Sequence, residues 1–164
     1  MAQEPEISVV IPVYNEEENL PALAAELQEV LEGLGRSYEV VFVDDGSTDS
    51  SAAVLKELAD KYRGFRTVKH KRNFGESAAQ ATGFREARGE ILITMDADGQ
   101  NDPADIPRLL QALGPQVVCV CGVRIKREDT WVKRISSRIA NAFRNFVTGD
   151  RLSDAGCTYR AIRK

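Results

Sequence analysis

The chain reads as an α/β protein, a mostly parallel sheet sandwiched by helices and followed by a C-terminal amphipathic helical segment. Three observations point there. Short β-branched apolar runs alternate with longer stretches of helical periodicity from residue 7 to residue 122. Ile7 to Val13 is almost continuously apolar and Tyr38 to Val43 reads likewise, as in strands buried on both faces. Polar clusters follow the runs at their carboxyl ends, where open sheets of this kind bind ligands.

Ile7 to Val13 (ISVVIPV) is the first run. Helical spacing follows from about Glu16, with Leu20, Leu23, Leu27, Val30, Leu31 and Leu34 three and four apart, and Gly33 and Gly35 end it. Tyr38 to Val43 is a second strand, closed by Asp44-Asp45-Gly46-Ser47. Thr48 or Asp49 then caps a helix running to about Tyr62. Phe65 to His70 is a third strand, Gly75 to Arg88 a helix and Ile91 to Met95 a fourth strand. Asp102 to Leu113 is a helix with Pro103 near its start, and Val117 to Gly122 a fifth strand.

With 164 residues, 43% hydrophobic and 29% charged, the chain suits one ordinary domain and wholesale disorder is excluded. The longest apolar run, Val117 to Val123, is about seven residues, far short of the roughly 20 that span a bilayer. The acidic N-terminus, Met-Ala-Gln-Glu-Pro-Glu, lacks the basic and apolar regions of a signal peptide. Three cysteines are too few for a disulfide scaffold, so a reducing cytoplasmic setting is expected. Cys119 and Cys121 share one face of a strand and, with Cys157, read as small reduced core residues.

The net charge of −3 hides an asymmetry. Residues 1–121 hold 11 Lys/Arg against 21 Asp/Glu, whereas residues 122–164 hold 11 against 4. The expected organisation is a core over 1–122 and a basic segment of the same domain over 123–164. On a helical wheel Trp131, Val132, Ile135, Ile139, Phe143 and Phe146 fall within about 120° of arc. Lys133, Arg134, Ser137, Arg138, Asn141 and Arg144 occupy the remainder. This pattern fits a helix lying in a lipid interface, where each basic residue adds about 1 kcal/mol on an anionic leaflet. It fits equally a helix packed on the sheet or on a second copy in a homo-oligomer.

The polar clusters carry the chemistry. Met95-Asp96-Ala97-Asp98-Gly99-Gln100 places two carboxylates one residue apart on a turn leaving a strand. They repel each other unless a cation lies between them, and hard oxygen donors suit Mg²⁺ or Mn²⁺, with Gln100 adding an amide oxygen. A capped turn ahead of Pro103 is the structural alternative. Asp45 suits acceptance of a nucleobase ring N–H, or a turn role, while Gly46 permits a tight turn or close approach to a ligand. Tyr14 and Glu16 offer a flat ring and a carboxylate to a base or ribose, with packing at the sheet edge as the alternative for Tyr14. His70, the only histidine, sits in a Lys-His-Lys-Arg run with no evident catalytic role.

Ile11-Pro12-Val13-Tyr14-Asn15-Glu16-Glu17, Val43-Asp44-Asp45-Gly46-Ser47-Thr48-Asp49 and Met95-Asp96-Ala97-Asp98-Gly99-Gln100 together resemble the family 2 glycosyltransferases of the GT-A (Rossmann-like) fold. The branch most similar is that of dolichol-phosphate mannosyltransferases and bacterial polyprenyl-phosphate glycosyltransferases, whose metal motif continues as Gln100-Asn101-Asp102-Pro103 does. The resemblance runs on through Arg72-Asn73-Phe74-Gly75, Ala81-Thr82-Gly83, Gly122-Val123-Arg124, Ser137-Arg138-Ile139-Ala140-Asn141, Asp154-Ala155-Gly156-Cys157 and Arg160.

The resemblance implies a nucleotide pocket formed by Pro12, Tyr14, Glu16, Val43, Asp45, Asp96 and Ala97. Asp96, Asp98 and Gln100 would hold Mg²⁺ or Mn²⁺ on the donor's diphosphate. Arg124, Arg134, Ser137 and Arg138 would meet phosphate, with Asp98 and Arg124 in the catalytic machinery. The reaction implied is inverting transfer of a hexose from a UDP- or GDP-sugar to a dolichyl or undecaprenyl phosphate. Its expected place is peripheral, at the cytoplasmic membrane face, with no nucleic-acid partner. A saccharide hydroxyl acceptor, or a catalytically incomplete nucleotide- or membrane-binding fragment, are the alternatives. Relatives usually continue past the position of Lys164, and Gly99 replaces a bulkier apolar residue common in the metal motif. A sugar-1-phosphate nucleotidyltransferase would want a glycine-rich basic loop after the first strand, and a dinucleotide enzyme a Gly-x-Gly-x-x-Gly; neither is present.

Overall fold

The computed structural model of the protein describes residues 4–122 and 157–164. The elements in chain order are β1 (Ile7–Val13), α1 (Leu20–Gly33), β2 (Tyr38–Asp44), α2 (Ser51–Lys61), β3 (Phe65–Lys69), α3 (Glu76–Glu86) and β4 (Ile91–Thr94). A 3₁₀ turn (Pro103–Asp105), α4 (Ile106–Ala112), β5 (Cys119–Cys121) and β6 (Arg160–Arg163) follow.

Six strands form one sheet in the order β3-β2-β1-β4-β6-β5. β1 pairs in parallel with β2 and β4, and β2 in parallel with β3. β6 is antiparallel to both β4 and β5. The mostly parallel α/β expectation holds.

Strand alternation divides the core in two. Ile7, Val9, Ile11 and Val13 of β1, with Val40 and Phe42 of β2, face a core closed by Leu20, Leu23, Leu27 and Leu31 of α1, Leu55 and Leu58 of α2, and Ile106 and Leu109 of α4. Val10, Val41 and Val43 face the other way onto Ala79 of α3. Because both faces are covered, the strands bury apolar side chains on successive residues. The helix α3 has little apolar surface and lies close to the sheet instead. A Cβ built on Gly83 would stand 2.2 Å from Val10 Cγ1, so only glycine fits there.

At the far end of the sheet from the polar clusters, Glu39 is 5% exposed. It accepts hydrogen bonds from Ser8 Oγ at 2.7 Å, the Arg88 backbone N–H at 2.7 Å and Arg66 Nε at 2.8 Å. Burial pushes its carboxyl up, but these donors together outweigh burial and hold it below the ordinary glutamate value.

Several sequence expectations shift. The first helix starts at Leu20 rather than Glu16, because Asn15, Glu16 and Glu17 are tied to the second loop. The expected helix from Asp102 divides into the 3₁₀ turn and α4, with the Asp102 carboxylate accepting from Ala104 N at 2.8 Å. Cys119 is exposed and Cys121 half-buried, not core residues, since β5 is a three-residue edge strand. Cys157 is buried as expected. β6 was not anticipated; it carries part of the basic C-terminal segment back into the sheet, with Ala161 fully buried. The expected amphipathic helix of Trp131 to Phe146 lies outside the described residues, as do Arg124, Arg134, Ser137 and Arg138.

Candidate active site

The chain leaves β1 towards β2 on one side and returns through β4 on the other. The crevice beyond the carboxyl ends of β1 and β4 is therefore a topological switch point, the usual ligand position in such sheets. A cleft of about 510 Å³ opens there. Pro12, Val13, Tyr14 and Glu16 line it from the end of β1, Asp45 from β2, and Asp96, Ala97, Asp98 and Gln100 from the turn after β4. Asn73, Glu76 and Ala79 complete one wall and Thr158 the other.

The loops after β1 and β2 hold each other. Asn15, left-handed at φ 57°, accepts from Thr48 N at 2.8 Å and donates its backbone N–H to Ser47 Oγ at 3.1 Å. Glu16 N donates to Ser51 Oγ at 2.8 Å, and Glu17 Oε2 accepts from Ser50 N at 2.7 Å. Thr48 is thus used to fix Asn15, while Asp49 accepts from Ser51 N at 2.9 Å at the start of α2. These bonds set the position of Tyr14, which stays 45% exposed at the cleft.

Asp45 is almost wholly buried yet borders the cleft. Its Oδ1 lies 2.7 Å from His70 Nδ1 and accepts Phe74 N–H at 3.0 Å; its Oδ2 accepts Gly75 N–H at 2.8 Å. Burial raises its carboxyl, but the hydrogen bonds from His70, Phe74 and Gly75 outweigh burial and keep it below the ordinary aspartate value. Gly46, at φ 72°, gives the close approach expected of it, but towards protein: an added Cβ would be 2.5 Å from the Arg72 carbonyl carbon. Loop 70–75 is thereby packed flush against the end of β2.

On the opposite wall Asp96 Oδ2 accepts from Thr158 Oγ1 at 2.5 Å and from Asn101 Nδ2 at 3.2 Å. Asp98 is exposed, and its Oδ1 accepts Gln100 N–H at 3.0 Å across Gly99, whose φ is 77°. Among the described residues neither Asp96 nor Asp98 forms an ion pair. Two carboxylates oriented by neutral donors, beside an amide on the same cleft, are a donor set suited to a hard divalent cation. Tyr159 braces this wall: its hydroxyl donates to Asp102 O at 2.9 Å. Burial, then the charges of Asp105 and Asp102, push its phenol far above the ordinary value, so it stays a neutral donor.

The cleft thus gathers Pro12, Tyr14, Glu16, Asp45, Asp96, Ala97, Asp98 and Gln100 of the anticipated set. Val43 does not line it, being fully buried against α3. Asn73, Glu76, Ala79 and Thr158 were not foreseen; the Arg72-Asn73-Phe74-Gly75 motif was the one signal that pointed to that wall.

The chain is 42% identical over 159 residues to the undecaprenyl-phosphate 4-deoxy-4-formamido-L-arabinose transferase of Edwardsiella ictaluri, covering 96% of this chain and 49% of that protein. It is 41% identical to the protein of the same name from Aeromonas hydrophila, with the same coverage. The chain therefore spans about half the length of the curated relatives it matches. Among solved structures, a mannosyltransferase of Pyrobaculum calidifontis in complex with GDP-Man and Mn²⁺ is 28% identical, with a TM-score of 0.56 over 77% of this chain and 37% of that one. Glucosyl-3-phosphoglycerate synthase of Mycobacterium tuberculosis, at 22% identity, shares the fold with a TM-score of 0.74 over 97% of this chain and 57% of that one. The family model described as glycosyl transferase family 2 matches residues 8–164, from the second residue of β1 to the last residue of the chain, and to that family the chain belongs.

Proposed function

We propose that this chain supplies the donor-binding part of an inverting glycosyltransferase that moves a sugar from a nucleoside diphosphate to a polyprenyl phosphate. The observation that carries the reading is the meeting of Asp45, Asp96, Asp98 and Gln100 in one cleft at the switch point of the sheet. The names of the relatives support undecaprenyl phosphate as the acceptor. Their named sugar is a pentose derivative, so it replaces a hexose as the first donor to test.

Tyr14 and Asp45 would take the base, Glu16 the ribose, and Asp96, Asp98 and Gln100 would hold Mg²⁺ or Mn²⁺. When bound, such a cation supplies Lewis-acid neutralisation of the charge that the departing diphosphate gains. A phosphate monoester oxygen is already anionic near neutral pH, so its attack on the anomeric carbon requires no protein base. His70, the only histidine, is engaged at both ring nitrogens and is not needed as one. Catalysis would then rest on alignment and charge stabilisation. Arg124, Arg134, Ser137 and Arg138 are assigned to the acceptor phosphate, and the part of the basic segment ahead of β6, residues 123–156, to a peripheral place on the cytoplasmic membrane face. Among the described residues no helix is long and apolar enough to cross a membrane.

The test is calorimetric titration with UDP and GDP, with and without Mn²⁺, followed by transfer assays on undecaprenyl phosphate. Metal-dependent nucleotide binding supports the reading. No binding of either nucleotide at saturating Mn²⁺ contradicts it.

A further inference from the structure

Asp45 is one end of a chain of three side chains. His70 Nδ1 lies 2.7 Å from Asp45 Oδ1, and His70 Nε2 lies 2.9 Å from Thr82 Oγ1. A carboxylate only accepts, so the ring proton belongs on Nδ1, where it is donated to Asp45. Arg85 donates to Thr82 Oγ1 at 3.4 Å, which leaves the Thr82 hydroxyl hydrogen to point at Nε2. The Phe74 ring meets the imidazole edge-on, at 5.5 Å and 84°, and limits its rotation.

The order hydroxyl, imidazole, carboxylate is that of a nucleophilic triad, but its direction is opposite. The carboxylate borders the cleft, whereas neither His70 nor Thr82 lines it. The Thr82 hydroxyl is not presented to a substrate, so the chain acts on Asp45. Its Oδ1 is filled by His70 and Phe74, while Oδ2 takes Gly75 N–H and only a longer share, 3.2 Å, of Phe74 N–H. Oδ2 therefore keeps acceptor capacity, and its direction is fixed by what holds Oδ1.

We propose that His70, oriented by Thr82, is a positioning residue that aims Asp45 Oδ2 at the base of the donor nucleotide. This rests on the cleft being the nucleotide site proposed above. Loss of the donor at Nδ1 should cost base recognition while leaving the diphosphate half of the cleft, formed by Asp96, Asp98 and Gln100, intact.

The experiment uses calorimetry with Mn²⁺ throughout, comparing the nucleoside diphosphate that binds the parent with base-free inorganic pyrophosphate. His70→Ala and His70→Gln, which lack a donor at the Nδ1 position, are expected to weaken nucleotide binding about tenfold or more. Pyrophosphate binding should stay within about twofold, since it depends on the other wall. His70→Asn restores an N–H near Nδ1 and should return nucleotide affinity to within about threefold of the parent. Thr82→Val, outside the cleft, should produce an intermediate loss and serves where His70→Ala does not fold. The proposal is overturned if His70→Ala binds nucleotide like the parent, if pyrophosphate binding falls equally, or if His70→Asn is no better than His70→Gln. A parent that binds pyrophosphate but neither UDP nor GDP overturns the base site itself, and a parent that binds none of them overturns the reading of the cleft.

Discussion

Thr158 Oγ1 donates to Asp96 Oδ2, joining residues 62 apart in sequence at the mouth of the cleft. The contact exists because β6 returns antiparallel to β4, with Arg160 opposite Thr94, and Thr94 Oγ1 donates to the Thr158 carbonyl. One carboxylate of the Asp96-Ala97-Asp98 turn is thus aimed by a residue of the basic segment 123–164, just ahead of β6.

Replacing Thr158 by Val keeps the shape and removes the hydroxyl. Outer hydrogen-bond partners of metal ligands typically contribute about 10–100-fold in metal affinity. We expect Mn²⁺-dependent nucleotide binding to weaken by about tenfold, with the melting temperature little changed. Equal Mn²⁺ titrations for variant and parent would count against Asp96 as a ligand.

Gly83→Ala tests the packing of α3. The new methyl would stand 2.2 Å from Val10 Cγ1, so the helix must lift from the sheet. Overpacking of this kind costs about 1–3 kcal/mol. Chemical denaturation should show that loss, and adding Val10→Ala should recover part of it. If the double variant is no more stable than Gly83→Ala alone, the close approach is not the cause.

Glu39→Ala tests the far end of the sheet. Removing the carboxylate leaves Ser8 Oγ and the Arg88 N–H without their acceptor, while Arg66 keeps Glu86, so the cost is about 1–3 kcal/mol at neutral pH. Glu39 is held below its ordinary value in the folded protein, so its stabilisation is present above the unfolded carboxyl value of about 4.3. It is lost as pH falls through the lower folded value. The stability gap between parent and variant should be flat near neutrality and close in acid. A gap that widens in acid would reverse the sign.

Much of this was legible in the sequence, and the exceptions have physical causes. The runs at Ile7 and Tyr38 announce central parallel strands because burial on both faces leaves little polar signal to confuse them. The Asp96-Ala97-Asp98 turn is visible because its residues are contiguous. β6 was missed because Arg-Ala-Ile-Arg is short, half charged and embedded in a basic stretch; its place depends on pairing with β4 and β5. The brace on Asp45 was equally hidden, since its donors lie 25 to 30 residues onward in a loop that no periodicity marks. Val43 illustrates the opposite error: it neighbours the motif in sequence, but strand alternation turns it towards α3.

The proposed reaction depends on a divalent cation held by Asp96, Asp98 and Gln100 on a nucleoside diphosphate. Its most direct measurement is calorimetric titration of UDP and GDP into the parent and Asp98→Ala, each with and without Mn²⁺. Mn²⁺ is expected to strengthen binding to the parent, and this gain to disappear in Asp98→Ala. An equal Mn²⁺-dependent gain in both proteins would contradict it.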